Sequence, residues 1–351
     1  MKQLDLKNLD LNQSESLTLR VETSSVWEVI LGIAGFTHRQ LRHTFDLDQE
    51  WENSFASMSK TLKDLLNEIE KTNLWYGLIL LQERISAETI EDFSNDLSIM
   101  DNKTLYGTLL PYKDRLKEPI RKSLIDDLGE DRDFKDYASF FDDHEYLNEY
   151  VLVLDSYSRE KLIEILVRVV KEWHEWISQF DEWTKWNRAI DFEGKQHQSI
   201  DHSNPVEFIE LVTGGTKYFP EPSIWTVKMV PQVSYRPWTL TVRTPDTKIF
   251  FYPMKEEYLL EPGTPSMELI RGHKALGDET RLKILHQLTK GSSSLQDLSI
   301  QFNISKPTIH HQLSLLKAAK FVRVDKGIYS IDKTQISSFS ERLSKFLGET
   351  L

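Results

Sequence analysis

The chain has 351 residues, 39% of them apolar and 28% charged, a balance that supports packed cores and excludes wholesale disorder. It contains no cysteine, which removes disulfides, thiolate–metal sites and a cysteine nucleophile. No apolar run approaches the roughly 18 residues of a membrane span, and the amino terminus MKQLDLKNLDLNQSE carries no secretory h-region. A two-domain, cytoplasmic protein with no membrane partner is therefore expected.

In chain order, Leu17–Val21 alternates as a short strand, and from Ser25 to about Phe180 the periodicity is helical. Trp51, Phe55, Met58, Leu62, Leu65 and Ile69 recur at spacings of three and four, which predicts one long amphipathic helix. Shorter helices are predicted over Leu74–Gln82, Ala87–Met100, Lys103–Leu110 and Lys117–Leu128. A second long helix starts at the N-cap Ser158 and runs through Lys161–Arg188. On it Trp173, Trp176, Phe180 and Trp183 follow three–four–three spacing. That is the pattern of a core or helix-pairing seam, and the sharper alternative is the aromatic wall of an effector pocket.

Ten of the 12 prolines lie at or after Pro205, and Trp225–Met229, Thr239–Arg243 and Lys248–Tyr252 read as a small antiparallel meander. His197, Asp201 and His202 lack a helical i, i+4 histidine pair, so solvated side chains are expected rather than a metal site. The acidic stretch Asp126–Asp136 lacks calcium-loop spacing. Gly214-Gly215-Thr216-Lys217 lacks the first glycine of a phosphate loop and reads as a hairpin turn. No paired nucleophile and base, no metal motif and no cofactor motif is present, so neither an enzyme nor a cofactor is expected.

Glu261-Pro262-Gly263-Thr264-Pro265 is the clearest linker, and it divides the chain into 1–262 and 265–351. Beyond it lie 13 basic and 8 acidic residues, a net of +5 within a chain of net −12, which leaves −17 on the amino-terminal side. Such asymmetry points to a nucleic-acid module beside a different domain.

In the basic part, helices are predicted over Ser266–Leu276, Asp278–Thr289 and Leu295–Phe302, then the turn Asn303-Ile304 and a helix capped by Ser305 with Pro307 in its first turn. Ile309, Leu313 and Leu316 form its buried stripe. Lys306, Thr308, His310, His311, Gln312 and Ser314 occupy the other face. Phe321–Val324, Asp325-Lys326-Gly327 and Ile328–Ile331 form a basic hairpin. Helix, turn, helix and basic hairpin make a winged helix-turn-helix. Donors on an exposed helix face read base edges in the major groove, while Arg323 and Lys326 on the wing neutralise phosphates. The DNA-contacting set is thus Ser305, Lys306, Pro307, Thr308, His310, His311, Gln312, Ser314, Arg323 and Lys326. The fold class is mostly α with a small antiparallel β part (α+β).

Ala275–Leu285, Ile304–Lys317 and the hairpin ending Gly327-Ile328-Tyr329 resemble the ArsR-type winged-helix regulators over about 75 residues. The resemblance implies a homodimer whose first and last helices pair, with Ile336, Phe339, Leu343 and Phe346 as the seam, on an imperfect inverted repeat of double-stranded DNA. Where metal-sensing members carry paired cysteines this chain has Ser294 and Gln296, so metal response is not implied. Ser25–Ile30, Thr213–Gly215, Val230-Pro231, Arg236–Trp238 and Phe251–Pro253 resemble the amino-terminal region of longer members, which supplies no catalytic residue. The expectation is a repressor whose first domain senses a small-molecule effector or supports the dimer. The alternative is an interaction or scaffold protein that uses the winged helix as a docking or dimerisation module.

Overall fold

The computed structural model describes residues 17–38, 41–128, 133–200, 204–255 and 264–347. The amino-terminal part opens with strand β1 (Thr18–Val21) and twelve helices: α1 (Ser25–Thr37), α2 (Asp48–Ser54), α3 (Lys60–Thr72), α4 (Trp75–Ile85), α5 (Ile90–Ile99), α6 (Asn102–Leu109), α7 (Glu118–Asp126), α8 (Lys135–Ala138), α9 (Leu147–Ser156), α10 (Arg159–Ile177), α11 (Asp181–Gln198) and α12 (Pro205–Val212). Strands β2 (Thr226–Gln232), β3 (Leu240–Arg243) and β4 (Thr247–Pro253) follow. The carboxyl-terminal part holds α13 (Met267–Leu276), α14 (Glu279–Lys290), β5 (Ser293–Ser294), α15 (Leu295–Phe302), α16 (Lys306–Ala318), β6 (Val322–Asp325), β7 (Ile328–Ile331) and α17 (Lys333–Phe346). None of the described helices is long and apolar enough to cross a membrane.

Helix α1 is the axis of the first part. Its sequence SVWEVILGIAGFT is apolar on every side, and all but its first residue are buried, as befits a helix wrapped by others. Gly32 lets α10 approach, because a Cβ there would lie 2.7 Å from the Trp173 Nε1. The one carboxylate in α1, Glu28, is buried. It accepts hydrogen bonds from the Val233 and Ser234 amides and the Ser234 hydroxyl, and so ties the loop after β2 to the helix. Burial raises its pKa against the lowering effect of these bonds.

Both long helices expected from periodicity are broken. Trp51 to Ile69 is divided because Met58 turns to an extended conformation and Ser59 caps α3 by accepting from the Leu62 amide. The second breaks at Ser178–Phe180, where extended Phe180 leads into α11. Trp173, Trp176 and Trp183 are buried and Phe180 half-buried in the main core, with Trp173 against Phe36 and Trp51, so they fill space rather than line an effector pocket. Helices α1 and α2 supply the Phe36 and Trp51 rings to that stripe.

The meander is corrected to a mixed sheet of order β1-β2-β4-β3. Strand β2 runs parallel to β1 and β4, and only β3 and β4 are antiparallel. The Gly214-Gly215 turn is no hairpin. It closes the end of α12, with Gly215 at φ +112° and its amide donating to the Glu210 carbonyl. His197 is not solvated: it is buried, with Nδ1 2.7 Å from the Tyr252 hydroxyl. Asp201, His202, the linker residues Glu261-Pro262-Gly263 and part of the acidic stretch lie outside the described residues.

The carboxyl-terminal part has its own core, drawn entirely from Leu269 onward and including Ile284, Leu298, Ile309, Leu313, Leu316, Phe321 and Phe339. The cores of the amino-terminal part end by Met254. Strands β6, β7 and β5 form a small antiparallel sheet in the order β5-β7-β6.

Candidate nucleic-acid interface

Helix α15 is capped reciprocally by Ser294 and Asp297, and it ends at Asn303 in the left-handed conformation. That sharp stop sets the angle to α16. Ser305 then caps α16, its Oγ accepting from the Thr308 amide at 3.4 Å and lying 2.8 Å from Thr308 Oγ1. Ile309, Leu313 and Leu316 are fully buried and fix the helix on the domain. The first turns of α16 therefore present Ser305, Lys306, Pro307, Thr308 and His310 outward, all exposed. Lys306 Nζ reaches Gln296 Oε1 at 3.4 Å, an exposed contact that costs little to exchange for a base or phosphate.

Two other residues expected to read DNA are already engaged. Gln312 Oε1 accepts from Arg281 Nη1 at 2.9 Å, and Arg281 also bonds the Lys274 and Ala275 carbonyls. Arg281 thus positions Gln312, a role no local pattern announced. Ser314 is corrected from a contact residue to a buried one, 8% exposed.

On the wing, Lys326 and Gly327 both have positive φ, +47° and +78°, the pairing that a two-residue hairpin loop matched to strand twist requires. Lys326 is exposed at the tip. Arg323 is half exposed and its Nε is held by Asp332 at 2.5 Å.

The expected dimer seam is corrected in part. Phe339 is buried inside the domain, 5.4 Å from the Phe321 ring and above Gly272, where a Cβ would come within 2.1 Å. Ile336 and Leu343 are half-buried against the same core, and only Phe346 is exposed. A single apolar stripe on α17 has been used to hold α13.

A family model for bacterial regulatory proteins of the arsR family matches residues 278–324. Over 80 residues the chain is 47% identical to the transcriptional repressor SdpR of Bacillus subtilis (strain 168), a match covering 89% of that protein and 22% of this chain. The chain belongs to the ArsR family.

In this ArsR-family chain the second half of α16 is partly covered: His311 and Lys317 are exposed, whereas Ala318 is buried. At roughly 100° per residue, His311 and Ala318 lie on the side opposite the buried stripe. Ala318 is nevertheless only 3% exposed and is not part of the domain's own core. The amino-terminal part packs on this side of α16. The turn Arg42–Thr44 packs on α16, with the His43 and His311 rings 4.4 Å apart and 30° from parallel. Lys317 Nζ sits 4.9 Å from the centre of the Trp238 ring, whose Nε1 donates to Thr44 Oγ1. Asp46, 7% exposed at its side chain, accepts from Arg271 at 2.6 Å and lies 3.4 Å from Arg236 Nε. Arg271 in turn donates to the Ala318 carbonyl. Partial desolvation and the His311 and His310 imidazoles hold the His43 pKa below its ordinary value, against the Asp48 carboxylate. His43, Asp46 and Trp238 carry no local motif, so sequence reading missed them.

Proposed function

We propose that the protein is a sequence-specific transcriptional repressor that reads operator DNA as a homodimer through α16, and that its amino-terminal part controls access to that helix. The observation that carries this reading is the exposed polar first half of α16, Ser305 to His310, mounted on a buried stripe in a chain 47% identical to a named repressor over this part. A helix entering the major groove presents its amino-terminal residues and its outer face to the bases. Here the first is open, and the second is partly occupied, with the His43 ring set against an otherwise exposed His311. The described arrangement is accordingly the state withheld from DNA, and an effector sets the balance between it and an open one.

The test is fluorescence anisotropy of the full chain on DNA from upstream of its own gene and on a scrambled control, at two salt concentrations. Tighter binding to the upstream fragment that persists as salt rises supports the reading, as does its loss in Lys306→Ala and His310→Ala variants that remain folded. Unchanged affinity in the folded double variant refutes it. The contact of the amino-terminal part with α16 favours one second reading, in which the winged helix is a docking module for protein. Equal, weak binding to all DNA in variants with the helix released would support that alternative.

A further inference from the structure

The seam between the two parts holds an open cavity of about 840 Å³, within the size range of small-molecule sites. Its charge is one-sided. Arg236 and Lys255 reach it from the amino-terminal part, and Arg271, Lys320 and Arg342 from the carboxyl-terminal part. Among the described residues the wall carries a single carboxylate, Glu268, 3.6 Å from Arg342 Nη1. Asp46 engages Arg236 and Arg271. The Arg342 Nε is enclosed and makes no hydrogen bond among the described residues, an unmet donor of the kind a ligand oxygen satisfies. Val212, Met254 and Phe346 supply apolar wall beside these cations.

Asp46 and Glu268 offset part of the repulsion among these cations, which still outnumber them along the described wall, and an anion in the cavity offsets the remainder. We propose that this cavity binds a small anion with an apolar body, its carboxylate or phosphate group seated among Arg236, Arg271 and Arg342. Because both parts build the site, its occupant favours the docked arrangement over any open one. Resting on the withheld-helix reading above, the anion then acts as an inducer that lowers affinity for DNA, and by reciprocity DNA lowers affinity for the anion.

Isothermal titration calorimetry of the full chain at neutral pH, with phenyl phosphate, phenylacetate and benzyl alcohol as probes, tests the site. At least one anion should bind about tenfold or more tighter than the neutral alcohol, and the tighter of the two names the headgroup. A Lys320→Gln/Arg342→Gln double variant should lose about tenfold, Lys326→Gln on the distant wing should lose nothing, and Glu268→Gln should bind tighter. Glu268→Gln also keeps the test decisive if the double variant does not fold. The proposal is overturned if the alcohol binds as well as the anions, if neither anion binds up to about 10 mM, or if the folded double variant or Glu268→Gln leaves anion affinity unchanged. Anion binding that leaves operator affinity untouched would uphold the site and remove the withheld-helix reading, so the two failures are distinguishable.

Discussion

Asp46→Asn is the sharpest perturbation of the docked arrangement. The native carboxylate is 7% exposed at its side chain, accepts from Arg271 Nη2 at 2.6 Å and Nε at 3.2 Å, and lies 3.4 Å from Arg236 Nε. Asparagine keeps the shape and one acceptor oxygen but removes the charge, leaving two arginines facing a neutral group. Hydrogen bonds to charged groups contribute about 1.5–3 kcal/mol, so the docked state should lose at least about 1.5 kcal/mol relative to an open one. That raises the open population by about tenfold or more. If only the open form presents all of α16 to the groove, operator affinity rises by the same factor until the open form dominates. The assay is anisotropy of the full-length variant at fixed salt. Asp64→Asn, an exposed position on α3, serves as the control for the one-unit change in net charge. An operator affinity for a folded Asp46→Asn protein no higher than that of the Asp64→Asn control would refute the reasoning.

Other positions respond in ways that separate packing from recognition. Gly272→Ala places a Cβ 2.1 Å from the Phe339 Cε2; overpacking of this kind costs about 1–3 kcal/mol, and a melting temperature equal to wild type would show that α17 shifts freely on α13. His43 has its pKa held down in the docked state, so the open state binds the proton more readily, and docking loses stability as pH falls through and below the ordinary value of 6.5. Wild-type operator affinity should therefore gain more between neutral and mildly acidic pH than that of His43→Gln, while parallel pH profiles for the two proteins would contradict it. Lys326→Ala should weaken binding to every sequence alike and reduce the salt slope by about 1. Arg323→Ala should do less, because its guanidinium is already shared with Asp332; a larger effect at Arg323 than at Lys326 would overturn that ranking.

The winged helix was legible in the sequence because its signals are local. Ser305 with Pro307 marks a helix start, Ile309, Leu313 and Leu316 mark its buried side, and Lys326-Gly327 marks a loop that needs positive φ. Strand positions in the first part were equally legible, but their pairing was not. An alternating or β-branched run says that a strand exists and nothing about which edge receives it. Strand β2 pairs in parallel with β4, and the loop after β2 is held by the Glu28 carboxylate from 205 residues earlier in the chain, contacts that no local run announces. Aromatic spacing on α10 was likewise consistent with core or pocket. What decided it was Gly32 on another helix, which makes room for Trp173.

The docked face of α16 was hidden for the same reason, since Asp46 and Arg271 stand 225 residues apart. Yet the charge split carried a trace of it. A domain of net −17 joined to one of net +5 indicates that the second seeks an anionic partner, and it does not say which anion. The structure supplies one from within the chain: Asp46 on Arg271, with the electron-rich face of Trp238 beneath Lys317. DNA phosphates compete for the same basic surface, but with a different response to salt. Phosphate contacts weaken steeply as counterions accumulate, whereas an ion pair as enclosed as Asp46–Arg271 is screened far less. Salt therefore acts on the DNA contacts and not on the docked state, so Asp46→Asn should raise operator affinity by the same factor at every salt concentration, and a salt slope that differs from wild type would refute this.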